Sequence, residues 1–205
     1  MLLTGQGMPV ARLSKFENCR SPAAVSNLRD LPPNIVLIGM PGSGKSTVGR
    51  PLASQIGFGF IDTDHSIEHG EGKPLSAVLA GATRDDFLQL EARYVQQLDC
   101  EHCVVSTGGS VVYNEKGMAH LRALGMIVFL DIDLATLEGR LDDLAARGVV
   151  IEPGHTIADL ARERRPLYEQ YADLTIPCGN DLPESNAKRV IDAVRNSVPT
   201  RLLRN

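Results

Sequence analysis

The chain is 205 residues long, 43% hydrophobic and 22% charged, which suits a single globular domain with a sizeable core and excludes wholesale disorder. Its 21 basic and 25 acidic residues leave a net charge of −4, so the basic field that wraps nucleic acid or anionic lipid is absent. With no Trp, five Phe and four Tyr it lacks the aromatic platforms that stack single strands, and no apolar run approaches the ~20 residues of a membrane-spanning helix.

Residues 1–33 carry no periodic pattern and are dotted with Gly5, Gly7, Pro9, Pro22, Pro32 and Pro33. They read as an N-terminal extension, flexible or lying on the surface. Met1-Leu2-Leu3 is not the apolar centre of a signal peptide, and Met8 is an alternative start. Residues 34–205 read as one domain, whose first strand is predicted at Ile35–Ile38, a continuous β-branched run of the kind buried on both faces. A glycine-rich turn and a helix over Lys45–Ile56 follow, then a strand at Phe58–Ile61. Helical periodicity covers Leu75–Leu79 and Arg84–Leu98. Strands are predicted at Val104-Val105 and Ile127–Leu130, then a helix from Leu134 to Ala146 and a loop over Arg147–His155. Thr156 caps a helix through Gln170, Leu174–Ile176 is a fifth strand, and a helix over Pro183–Val198 closes the chain. Strands alternating with helices specify an α/β fold with a mostly parallel sheet and helices on both faces.

The four cysteines, Cys19, Cys100, Cys103 and Cys178, are too few to staple such a chain and fit a reducing cytoplasm. The C-x-x-C of Cys100 and Cys103 lacks the second pair that a zinc site requires, and reads as two ordinary thiols. No exposed apolar stripe stands out, so the sequence does not reveal the oligomeric state; a monomer is favoured, acting on a small molecule rather than on nucleic acid or a membrane.

Gly39-Met40-Pro41-Gly42-Ser43-Gly44-Lys45-Ser46-Thr47 fits G-x-x-x-x-G-K-[ST] between a buried strand and a helix, the context this phosphate loop requires. Gly42, Ser43 and Gly44 turn backbone N–H groups toward a polyphosphate at the helix N-terminus. Lys45 reaches the β- and γ-phosphates, Ser46 offers its hydroxyl to Mg²⁺, and Thr47 completes the cradle. Three further clusters follow. Asp62 and Asp64 stand two apart after the second strand and point the same way if extended, one suited to hold a metal through water and the other to take a hydroxyl proton. Thr107-Gly108-Gly109-Ser110 follows the third strand, where paired glycines let backbone approach a ligand. Arg162, Arg164 and Arg165 form a positive cluster before Pro166-Leu167-Tyr168.

In this order the four pieces resemble the shikimate kinase family of small P-loop kinases, from about Asn34 to Ile176. The resemblance implies a three-layer α/β/α P-loop NTPase fold with a five-stranded parallel sheet. It also implies a mobile lid over about residues 147–156, with Gly148 and Gly154 as pivots, and transfer of the γ-phosphate of ATP to a hydroxyl of a small cyclic acid. It assigns Lys45 and Ser46 to ATP and Mg²⁺, Asp62 to the metal, and Asp64 to the substrate hydroxyls. It places Arg140 beside adenine, makes Arg147 the lid arginine that steadies the transferring phosphate, and puts Arg164 on the substrate carboxylate.

Three positions depart from that pattern. The family's F-R-x-x-E reads Phe87-Leu88-Gln89-Leu90-Glu91 here, so Leu88 stands where a carboxylate-binding arginine is expected. The family's triple glycine ends in Ser110, and the lid's R-P-L-L reads Arg147-Gly148-Val149-Val150 in a somewhat shorter lid. A lost hydrogen bond to a charge weakens binding about ten- to a hundredfold, and Leu88 adds an apolar surface where a charge would lie. Arg84 is a candidate to compensate, whereas Arg93, five residues from Leu88, sits off its face. Shikimate, going to shikimate 3-phosphate, is the first acceptor implied. The departures keep open another small acceptor such as homoserine or a polyol, and a non-catalytic nucleotide-binding relative is a third reading.

Overall fold

The computed structural model describes residues 31–140 and 156–197. Asn34–Ile38 forms β1, buried throughout, because its alternate side chains feed two cores at once. Val36 and Ile38 enter one core and Ile35 and Leu37 the other. The remaining strands are β2 (Gly59–Asp62), β3 (Cys103–Ser106), β4 (Met126–Ile132) and β5 (Leu174–Cys178). All pair in parallel in the order β2-β3-β1-β4-β5, so the expected five-stranded parallel sheet is present.

Around it lie α1 (Lys45–Ile56), α2 (Thr63–Glu71), α3 (Leu75–Ala80), α4 (Arg84–Gln96), α5 (Glu115–Leu124), α6 (Leu134–Glu138), α7 (Ile157–Tyr171) and α8 (Pro183–Ser197), with a 3₁₀ turn at Val111–Tyr113. Val48, Leu52 and Ile56 of α1 pack with Val190 and Val194 of α8 on one face of the sheet. Val95, Met118, Leu121, Ile157 and Tyr168 cover the other. A third cluster, Ile67, Val78, Phe87, Leu90 and Tyr94, ties α2, α3 and α4 into a small unit beside β2. The register aligns Asp62, Ser106 and Leu37 across the sheet, which sets the ends of three strands at one mouth, where open α/β sheets bind ligands.

The structure corrects the sequence reading in three places. Asp62 and Asp64 do not lie on one extended segment. Asp62 is the N-cap of α2, its Oδ1 accepting from the Asp64 N–H at 3.1 Å, so the chain turns into a helix at Thr63. A short polar stretch with one fully buried apolar residue, Ile67, carries too little periodicity to announce that helix, but its cap does. Helix α5 was absent from the pattern for the same reason, and it too is capped, by Asn114 onto the Gly117 N–H at 2.8 Å. Helix α6 begins at Leu134 as expected but ends at Glu138, with Gly139 and Arg140 in a turn. Residues 1–30 and 198–205, the part of the expected helix over residues 141–146, and all of the expected lid over about 147–156 except Thr156, Arg147 included, lie outside the described residues. Thr156 caps α7 with a full capping box. None of the described helices is long and apolar enough to cross a membrane.

Candidate active site

The phosphate loop turns through left-handed backbone at Gly42 (φ 79°) and Gly44 (φ 88°), conformations that any Cβ would strain, and Gly44 delivers the chain directly into α1. The loop's lysine is already aimed inward. Lys45 is buried, its Nζ donating to the Gly39 and Met40 carbonyls at 2.8 and 2.9 Å. Burial pushes its ammonium down to about 8, against the pull of the Asp64 and Asp62 carboxylates, so a polyphosphate entering the loop supplies the countercharge it lacks. Ser46 Oγ lies 3.1 Å from Ser106 Oγ at the end of β3. Hard oxygen donors here, with the half-buried Asp62 nearby, suit Mg²⁺, which takes one or two protein oxygens and leaves the rest to phosphate and water. Among the described residues no three His, Cys, Asp or Glu side chains converge as a metal-binding group.

Arg140 sits at the rim of the same loop. It donates to Gly42 O at 2.6 Å, Gly179 O at 3.3 Å and Asn180 Oδ1 at 3.2 Å. With Ser43, Gly44, Thr47, Pro183 and Asn186 it lines a cleft of about 200 Å³.

Across the mouth, Gly108 is the pivot of a second site. A Cβ there would come within 2.0 Å of Glu91 Oε1 and 2.9 Å of Asp64 Oδ1, so only glycine lets the β3 turn pass between these two carboxylates. The Gly108 N–H is fixed by Thr63 Oγ1 at 3.1 Å. Glu91 is 1% exposed. Its Oε2 accepts from Ser110 Oγ at 2.8 Å, while Oε1 has no partner. Burial first, and the Asp64 charge second, push its carboxyl up to about 7. The extra hydroxyl of Ser110 is therefore the donor that keeps this buried acid in place.

Of the three clustered arginines one faces the site. Arg162 pairs with Asp159, and Arg165 clasps both oxygens of Asp131 at 2.9 and 2.7 Å. Arg164 instead donates from Nε to Tyr113 OH at 3.2 Å, its guanidinium 5.2 Å from that ring's centre. One turn on, the fully buried Tyr168 donates to Gly109 O at 2.6 Å and stacks on Phe129, so α7 fixes both Arg164 and the glycine turn. The guanidinium of Arg84 lies 4.9 Å from the same Tyr113 ring and bonds Glu163 Oε1 at 3.3 Å. Leu88, one turn further along α4, is half-buried.

The structure thus gathers Lys45, Ser46, Asp62, Asp64, Gly108, Gly109, Ser110 and Arg164 at one mouth, with Arg140 at the nucleotide rim. Sequence reasoning quoted Glu91 and Tyr168 only as motif letters and passed over Tyr113 and Thr63. The helical spacing of Glu91 from Leu88 was the available signal for the first; nothing local marks Tyr113.

The shikimate kinase family model matches residues 41–195. A shikimate kinase of Pasteurella multocida is 34% identical over 167 residues, covering 80% of this chain and 95% of the relative. One from a Synechococcus species is 36% identical over 171 residues, 82% of this chain and 86% of the relative. Among solved structures, the shikimate kinase of Acinetobacter baumannii in complex with shikimate superposes with a TM-score of 0.73 at 28% identity, covering 82% of this chain and 96% of that one.

Proposed function

The chain belongs to the shikimate kinase family, and we propose that it transfers the γ-phosphate of ATP to a hydroxyl of shikimate, giving shikimate 3-phosphate. The observation that carries this reading is the facing pair of sites at one mouth: a phosphate loop with its buried lysine, and opposite it Asp64, Glu91 and Arg164 around Gly108. Full-length likeness to proteins named shikimate kinases favours this acceptor over homoserine or a polyol. The lysine and both aspartates in place favour it over a non-catalytic role.

Phosphoryl transfer asks for positioning and charge neutralisation more than covalent help. The loop N–H groups and Lys45 hold the triphosphate, Lys45 exchanging its two carbonyl acceptors for oxygens of the β- and γ-phosphates. Arg147 of the lid adds a further positive charge in this reading. Ser46 and Asp62 would hold Mg²⁺, which would supply neutralisation of phosphate charge. Asp64 orients the acceptor hydroxyl and takes its proton. Gly108, Gly109 and Ser110 give the ring a close floor. Arg164 binds the carboxylate, and Arg84, one turn before Leu88, brings a second guanidinium to the same edge by way of the Tyr113 ring. Glu163 occupies that guanidinium until the acceptor's carboxylate replaces it. The reading further puts the protein in the cytoplasm, supported by its few cysteines, and favours a monomer.

An ADP-release assay over shikimate, quinate, homoserine, threonine and gluconate tests it. Strong stimulation by shikimate alone is expected. A larger response to any other compound, or ATP binding with no response at all, overturns it.

A further inference from the structure

The 3₁₀ turn that follows the glycine floor is anchored by Val111 and Val112, both buried in the core, and the Tyr113 N–H bonds Ser110 O at 3.0 Å. Tyr113 is thereby held half-buried against side chains of α4 and α7. Its hydroxyl donates to Glu163 Oε1 at 2.7 Å and accepts from Arg164 Nε at 3.2 Å. The direction of these bonds is fixed. The phenol's own hydrogen bond, first, holds the Glu163 carboxyl below its ordinary range, so Glu163 is ionised and only accepts. Burial first, and Glu163 second, keep the phenol above its ordinary value, so the O–H persists and its lone pairs are left for Arg164. A guanidinium that spends Nε sideways offers its two Nη nitrogens end-on, a geometry in which arginine takes a carboxylate through two parallel bonds. The same ring lies 4.9 Å from the Arg84 guanidinium and 5.2 Å from that of Arg164, within cation–π reach of both. Two cations on one ring repel, and an arriving anion offsets that repulsion.

We propose that Tyr113 is the positioning residue for the acceptor's carboxylate. Its hydroxyl holds Arg164 end-on, and its ring seats Arg84 beside it. The hydroxyl also stands between Arg164 and Glu163, so that Glu163 meets the phenol rather than the guanidinium the acceptor needs. Tyr113 lies three residues past Ser110, in the turn that Ser110 caps, so the floor under the ring and the clamp on the carboxylate keep a fixed spacing. This inference rests on the shikimate reading and adds to it the residue that makes the site selective for an anionic acceptor.

Tyr113→Phe keeps the ring and removes the hydroxyl, whereas Tyr113→Leu removes both. Steady-state kinetics at saturating ATP, with shikimate and with its carboxamide as a neutral acceptor of the same shape, test the role. Tyr113→Phe is expected to raise the KM for shikimate about tenfold while kcat stays within about threefold. Tyr113→Leu should raise it severalfold more, as Arg84 loses its seat. With the carboxamide both variants should stay within about twofold of the parent's kcat/KM, because no charge is there to be clamped. An equal proportional loss with acid and amide, as a packing defect gives, overturns the proposal. So does an unmoved KM for shikimate in Tyr113→Phe, or a fall in kcat alone, which would put the phenol in the chemistry. Absence of shikimate turnover in the unaltered protein would remove the acceptor reading together with this one; the other contrary results remove this one alone.

Discussion

The two halves of the mouth are built in different ways. The donor side is nine consecutive residues, Gly39–Thr47, whose ligands are largely backbone N–H groups shaped by glycine, with one lysine already seated inside. The acceptor side draws Asp64 from α2, Glu91 and Arg84 from α4, Gly108 to Ser110 from the turn after β3 and Arg164 from α7. Backbone ligands leave a loop little freedom to change, because each glycine is demanded by its φ. Side chains from separate elements can be exchanged as long as charge and hydrogen bonding are rebalanced. That is what Leu88 and Ser110 display: the buried Glu91 has no arginine three residues before it on α4 but does have the Ser110 hydroxyl, and Arg84 shares the Tyr113 ring with Arg164.

If the donor side is the less tolerant, Lys45→Ala should give the largest effect, a fall in kcat of about a hundredfold or more in a protein whose circular dichroism is unchanged, as loss of a preorganised transition-state donor does. Asp64→Ala should match it if Asp64 is the proton acceptor proposed above, since that is the one acceptor-side group the chemistry itself requires. Near-normal turnover in either variant breaks the division of roles. Arg164→Ala should act on binding, raising the KM for shikimate about ten- to a hundredfold with a smaller change in kcat. A kcat loss equal to the KM effect would move Arg164 to the donor side.

Arg84 and Glu163 sharpen the comparison through the sign of their effects. Both are half exposed, so breaking their pair costs little stability. Arg84→Ala should raise the KM for shikimate severalfold, whereas Glu163→Gln, which frees Arg84, should lower it. Movement in the same direction would make the pair a structural bridge instead.

The smallest effect is on stability against pH. The folded-state pKa of Glu91 is raised from 4.5 to about 7. The folded protein therefore binds more protons than the unfolded chain between those values, and stability should fall as pH rises through that window. Glu91→Gln removes the titration, so its denaturation midpoint should stay level from pH 5 to 7.5 where the parent's declines. Parallel profiles would show that burial and the Asp64 charge leave Glu91 an ordinary acid.

The phosphate loop was legible because its whole function is local: fixed glycine spacing, a strand before and a helix after. The sheet was legible for a similar reason, since runs such as Ile35–Ile38 are too apolar to be anything but doubly covered. The short helices α2 and α5 were not, because only Ile67 of the first and Met118 and Leu121 of the second are buried apolar side chains, and their caps, Asp62 and Asn114, are the only strong marks. The arginine cluster was visible as charge, but charge does not tell which guanidinium is spent on Asp131, which on Asp159 and which faces Tyr113.

By itself, the order of residues determined a glycine-shaped loop between a buried strand and a helix with one lysine at its end, since that geometry depends on neighbours along the chain. Tertiary structure alone decided that Glu91 and Asp64 flank Gly108, that Ser110 steadies the buried acid, and that Arg84 and Arg164 meet at one tyrosine. These contacts join positions some 17 to 80 residues apart, and no local periodicity or spacing encodes which side chains the packing of α2, α4 and α7 around β3 brings together.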